Sequence, residues 1–191
     1  PRPAGRVGPG HARAPETDST RFSRWSQAVA GVNRNDRALT GFAMLGHATF
    51  HTYELVVPIF VAVWLDAFPV TPGTLGVVVG ASYALVGLGA VPSGLLADRF
   101  GSRPMILACM VGMGGAFGLL SVAPGLVVLS LALLAWGLAA SVYPPAGLAL
   151  LSRGANARGR AFAYHGAAGN VGVATGPLLA AVLLSFFGWR T

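Results

Sequence analysis

Between Arg37 and Asp66 the sequence carries one formal charge, Glu54, and two histidines, His47 and His51, precede it at helical spacing. At about 100° per residue the three side chains fall within an arc of about 60° on one helix face. A desolvated carboxyl beside imidazoles can bind, share or relay a proton, and this stripe is the favoured candidate for a proton or substrate site. The pattern H-x3-H-x2-E also offers three metal-ligand types, but no fourth ligand is apparent and no metal is expected there. The third reading is structural, a hydrogen-bonded network that bridges helices.

The elements that must hold this stripe are long and apolar. Of the 191 residues, 54% are hydrophobic and only 10% charged. A soluble domain carries about 25% charged residues, so this chain lacks the charge to cover a watery surface. Residues 39–65, 75–97, 105–122, 126–151 and 161–187 form five apolar segments separated by short breaks. Each reaches the roughly 17–25 residues that cross a bilayer core. The sequence therefore predicts an all-α, polytopic membrane protein, with five transmembrane helices running up and down. The 27 glycines and 13 prolines fit such a bundle, where close packing and neighbouring helices tolerate both.

Residues 1–37 are rich in Arg, Pro, Gly and Ser and are expected to form a disordered basic tail, ahead of a membrane domain over 38–191. All 13 basic residues are arginine, and 12 of them fall in the tail, the second–third loop and the fourth–fifth loop. Only Arg190 falls on the other side. Positive residues stay inside, so the N-terminus is expected in the cytoplasm of a multi-pass cell-membrane protein. The tail has few interleaved aromatics, and no nucleic-acid partner is expected. No Walker-type loop and no Ser/His/Asp set on adjacent elements is apparent, so neither an enzyme nor a cofactor is expected. Cys109, alone in an apolar run, is read as a packing residue.

Two later segments add candidates. The fourth contains Ser141-Val142-Tyr143-Pro144-Pro145, where tandem prolines interrupt the backbone ladder beside a hydroxyl and a phenol. Trp136 and Tyr143 are open to either substrate stacking or ordinary packing. In the fifth, Gly166, Gly169, Gly172 and Gly176 recur every three or four residues, making a groove for a neighbouring helix. Pro177 follows as a candidate hinge.

The charged break between the second and third segments reads Gly94-x-x-x-Asp98-Arg99-x-Gly101-x-Arg103. It resembles the signature loop between helices 2 and 3 of major facilitator superfamily transporters, and the resemblance extends over about residues 38–190. It implies secondary active transport of a small molecule by alternating access, with Asp98 and Arg103 helping to hold a cytoplasmic gate. It also implies that the first and fourth helices line the central cavity. Five spans then correspond to an N-terminal half lacking its last helix, and the partner half of the same transporter is expected to be missing. Ser141-Val142-Tyr143-x-Pro145 and Gly169-Asn170-x-Gly172 look like the fosmidomycin-resistance type of exporter, which adds Asn170 to the candidates. Proton-coupled efflux is the first expectation; proton-coupled uptake and a non-transporting sensor or assembly subunit are the alternatives. Ser102, Leu133 and Ala180-Ala181 depart from the drug:proton antiporter pattern, standing where it carries basic residues or a glycine pair.

Overall fold

The computed structural model describes residues 34–190, and the expected tail over 1–33 lies outside them. Seven helices follow one another: α1 (Arg34–Ala67), α2 (Pro72–Leu88), α3 (Ala90–Phe100), α4 (Ser102–Ser121), α5 (Leu126–Ala140), α6 (Tyr143–Gly154) and α7 (Arg158–Phe186). No strand occurs among the described residues. Four helical runs are individually long and apolar enough to cross a membrane, α5–α6 counting as one, and the bent pair α2–α3 makes a fifth.

Two boundaries differ from the sequence expectation. Residues 34–37, assigned to the tail, are the first turn of α1. Asp36 explains the extension: its carboxylate accepts hydrogen bonds from the Asn156 and Ala157 backbone amides and from Asn156 Nδ2, at 3.0–3.2 Å. The charge that looked like solvated tail caps the approach to α7. The second span, expected as one helix, is broken at Gly89 with a bend of 45° between α2 and α3.

Local chemistry sets the other ends. Thr71 Oγ1 accepts the Thr74 amide at the start of α2, with Pro72 in the first turn, where its missing donor costs nothing. A single residue, Gly101, separates α3 from α4, and its φ of 90° is the one positive φ among the described residues. Glycine is needed there because a Cβ disfavours that backbone conformation. The signature loop can be this tight for that reason.

Inside the bundle Trp64, Trp136, Tyr143, Leu75, Ile106 and Met113 are fully buried. Outward-facing positions are apolar as well, among them Val77, Val91, Val111, Val127 and Phe186, as a lipid-facing surface requires. The Asp36 cap and an ion pair between Asp98 and Arg153 lie at one end of the bundle. Arg190 lies at the other, donating to the Ser121 and Ala123 carbonyls. The arginine-bearing breaks are thus gathered at one end.

The tightest seam joins α1 to α7. A Cβ on Gly169 would stand 2.5 Å from the His47 ring, one on Gly172 would strike the Ala48 carbonyl, and one on Gly176 would come within 2.8 Å of the Thr52 carbonyl. Gly166, counted with them in the sequence, faces open space and does not belong to the groove. α7 continues through Pro177 as one helix. The contrast yields a paired test. Alanine is a better helix former than glycine by up to about 1 kcal/mol, so Gly166→Ala should hold or raise the thermal midpoint in detergent. Gly172→Ala gains the same propensity but meets rigid backbone, and its midpoint should fall.

Candidate functional site

The stripe of α1 is assembled as a chain of hydrogen bonds. Glu54 Oε2 lies 2.5 Å from His51 Nδ1, His51 Nε2 lies 3.0 Å from His47 Nε2, and His47 Nδ1 lies 2.8 Å from the main-chain oxygen of His165 on α7. The glycine groove makes the last contact possible, because Gly169 leaves room for the His47 ring against the α7 backbone. His165 contributes its ring too, stacked on His47 with centroids 3.9 Å apart and planes 11° apart.

The proton positions follow from which atoms can donate. A backbone carbonyl only accepts, so His47 carries its proton on Nδ1 and donates it to His165. His47 Nε2 is then a lone pair in the neutral ring, and His51 Nε2–H must donate to it. One proton remains between His51 Nδ1 and Glu54, either as imidazolium with carboxylate or as imidazole with carboxylic acid. Three contacts therefore use three protons, whereas two neutral histidines and a carboxylate supply two. The intact network holds one exchangeable proton, and losing it must break a contact.

Tyr143 completes the assembly from α6. Its hydroxyl donates to the Ala43 carbonyl at 2.6 Å, so its oxygen accepts from His165 Nε2–H at 3.2 Å. The phenol also stacks near His47, at 5.6 Å and 15°, in space left by Gly46. Tyr83 of α2 donates to the Glu54 carbonyl at 2.6 Å and steadies the α1 backbone there. The two imidazole nitrogens face each other within hydrogen-bond distance rather than pointing at a common centre, which suits proton sharing better than metal ligation.

Other sequence candidates lie elsewhere. Ser141 is fully buried but bonds to Ser93 Oγ at 3.1 Å and to the Leu138 carbonyl, away from the histidines. Asn170 is exposed on α7 and outside the network. In the signature loop Asp98 pairs with Arg153 at 2.7 Å, not with Arg99 or Arg103. Arg99 lies over the Phe100 ring, Arg103 is exposed, and Gly94 faces Pro145 of α6. With side chains 62% and 55% exposed, the Arg153–Asp98 pair is worth at most about 1 kcal/mol. A cavity of about 620 Å³ opens between α1, α4 and α7, walled by Val56, Phe60, Trp64, Phe117, Leu183 and Trp189. It is apolar and does not reach the histidines.

Sequence reasoning passed over His165 and Asp36. His165 did carry a signal, as the one histidine in the segment 161–187, which holds no Asp, Glu, Lys or Arg. Its partner, 118 positions away, became visible only in the fold. The tautomers are checkable: nitrogen-15 NMR of histidine-labelled protein should find His47 protonated at Nδ1 and His165 at Nε2. A His47 Nδ1 without a proton, with the network intact, would overturn the count above.

A family model described as Major Facilitator Superfamily matches residues 39–191. Two similar proteins, both described as MFS-type transporters, come from Mycobacterium tuberculosis strains CDC 1551 and H37Rv. Each is 34% identical over 166 residues, covering 81% of this chain and 36% of the relative. The chain thus spans about a third of the length of these curated relatives. No solved structure matches it significantly.

Proposed function

The chain belongs to the Major Facilitator Superfamily, and from that premise we propose that it forms part of a proton-coupled exporter of a small molecule working by alternating access. Membrane embedding and secondary transport go with the family. The proton and the direction are the finer reading. The observation that carries the proton is the network of three contacts needing three protons. Such a network binds one proton when its contacts are whole and releases it only by rearranging. A coupling ion must do the same if its binding is to favour one state over another.

The placement of the network supports a transport role over a purely structural one. Glu54 and His51 sit near the middle of α1 and keep 22% and 25% of their side-chain surface accessible. Ionisable groups at that depth are costly unless they serve a cavity or a partner. In this reading α1 presents His51 and Glu54 to the substrate path, with the buried Tyr143 of α6 behind them, and Asn170 adds an exposed amide from α7. The opposite wall is supplied by a second half of the same transporter, for which the relatives have the length. The gathered arginine-bearing breaks support a cytoplasmic N-terminus in the cell membrane, with Gly94, Asp98, Arg99, Gly101 and Arg103 at a cytoplasmic gate. Export is favoured over uptake by the likeness of the segments around Tyr143 and Gly169 to fosmidomycin-resistance-type exporters.

The test uses the full-length transporter in cells and vesicles. A resistance screen of an expressing strain identifies an exported compound, and its flux is then driven by an imposed pH gradient. Glu54→Gln should lower gradient-driven flux at least about tenfold, the weight of one lost proton-transfer group. It should also flatten the pH profile, while substrate counterflow without a gradient persists. Unchanged flux and pH profile in that variant would remove Glu54 from coupling. Accumulation in place of resistance would reverse the direction to uptake.

A further inference from the structure

The cytoplasmic halves of two spans are jointed at the same level and joined to each other. α2 and α3 meet at Gly89 with the 45° bend, and α5 gives way to α6 at Ser141-Val142. Pro144 and Pro145 have no amide hydrogen, so the carbonyls of Ala140 and Ser141 lack their usual helical donors. The two joints touch: a Cβ on Gly89 would lie 2.5 Å from Ser141 Oγ. Ser93 of α3 bonds to Ser141 at the joint itself, and beyond it α3 and α6 run together through Gly94 against Pro145 and through Asp98–Arg153 at the far end. They form a short two-helix module below a shared joint, with α6 also packed on α1 and α4.

Tyr143, the first residue of α6, stands between that module and the proton site. Its hydroxyl is bonded to Ala43 and His165, and its ring faces His47. When the network loses its proton, the contact of His51 Nδ1–H with the Glu54 carboxylate survives, because a charge-assisted bond is the strongest of the three. The mismatch then falls on His47 by either route. If His47 keeps its Nδ1 proton, its Nε2 lone pair meets that of His51. If it shifts the proton to Nε2, its Nδ1 lone pair meets the His165 carbonyl. Gly169 and the His165 ring close one side of His47, so its displacement presses on the His165–Tyr143 pair. The titratable groups facing the site from packed helices are His165 of α7, Tyr143 of α6, Tyr83 of α2 and Cys109 of α4.

We propose that Tyr143 is a positioning residue that couples the proton site to the α3–α6 module, which swings as one piece about Gly89 and Ser141 when the network loses its one exchangeable proton. The inference rests on the proton site proposed above. It adds the route by which loss of that proton is felt at the signature loop, since Asp98 lies in the last turn of α3 and Arg153 in the last turn of α6. The hydroxyl of Tyr143, not its ring, is the coupling element.

The experiment uses the full-length protein in lipid nanodiscs with Cys109 and every cysteine outside the present sequence replaced by serine, so that introduced cysteines alone take spin labels. Labels go to exposed positions: Leu45 on α1, Leu95 on α3 and Leu148 on α6. Electron–electron distances Leu45–Leu95 and Leu45–Leu148 are measured at acid and alkaline pH. Infrared spectra follow the Glu54 carboxyl band, assigned by its loss in Glu54→Gln, and nitrogen-15 NMR follows the His51 ring, so that the proton is seen on whichever group holds it. Both distances should change together by about 2 Å or more, the scale of interface helix shifts. In Tyr143→Phe the His51–Glu54 pair should still lose its proton while both shifts vanish. Shifts that persist in Tyr143→Phe, or static wild-type distances while the pair loses its proton, overturn the coupling and leave the proton site standing. A pair in which neither the Glu54 band nor the His51 ring changes between the two pH values overturns both. Asp98→Asn is the second variant: the α6 distance should still move and the α3 distance should lag. Equal movement would overturn the single-piece module. If Tyr143→Phe fails to fold, His165→Phe removes the other side of the same contact and should likewise abolish both shifts; shifts that persist in it overturn the route through Tyr143.

Discussion

The contact of His47 with the α7 backbone depends on a groove that has no side chains. Gly169, Gly172 and Gly176 let α1 approach until ring and carbonyl meet, and any Cβ at these positions would push the helices apart. In a lipid environment there is little hydrophobic drive between helices, so close packing and interhelical hydrogen bonds must hold them. The seam supplies both, with Thr52 Oγ1 and Thr175 Oγ1 3.3 Å apart further along it. It also sets the hydrogen-bond partner of His47, and through that partner the tautomer on which the proton count rests. A packing motif thus fixes a chemical one.

The network differs from a static structural cluster in its stoichiometry. A cluster with spare donors or acceptors can lose a proton and re-form its bonds. Here two ends accept only, the His165 carbonyl and the ionised Glu54, and two imidazoles lie between them. The chain has no slack: each contact consumes one proton, and a missing one leaves two lone pairs face to face. Buried polar networks give high returns when satisfied and high penalties when not. On the proposed mechanism, that penalty is what turns a change of protonation into a displacement.

Much of the scaffold was legible in the sequence because each span had to be apolar along its whole length, and the breaks had to hold the charge. The signature loop was legible for a local reason: one glycine must turn the chain between α3 and α4. The joint at Gly89 was not, since it is one of 27 glycines and its meaning lies in Ser141 on another span. Asp36 looked like part of a solvated tail because its partners stand 120 positions downstream. Within the candidate site, His47, His51 and Glu54 could be placed on one face from spacing alone. His165 and the role of Tyr143 required knowing that α1, α6 and α7 meet. Ser141 looked like a site residue and proves to be part of a joint, because local sequence cannot say which way a hydroxyl on a broken helix turns.

The exposed Arg153–Asp98 pair gains its meaning from being weak. An ion pair worth at most about 1 kcal/mol contributes little to holding the bundle together. It joins the ends of α3 and α6 to each other, so it bears on how closely the two helices move together and not on where the pair sits in the bundle. At that strength it still favours the joined arrangement by a few-fold, since about 1.4 kcal/mol is a factor of ten in an equilibrium. A buried pair would weld the two helices more firmly, but only by taking both charges out of water, which costs several kcal/mol per ion. The charged contact therefore stands at the wet end of α3 and α6, and the contacts whose loss carries a larger penalty lie inside, between α1, α6 and α7.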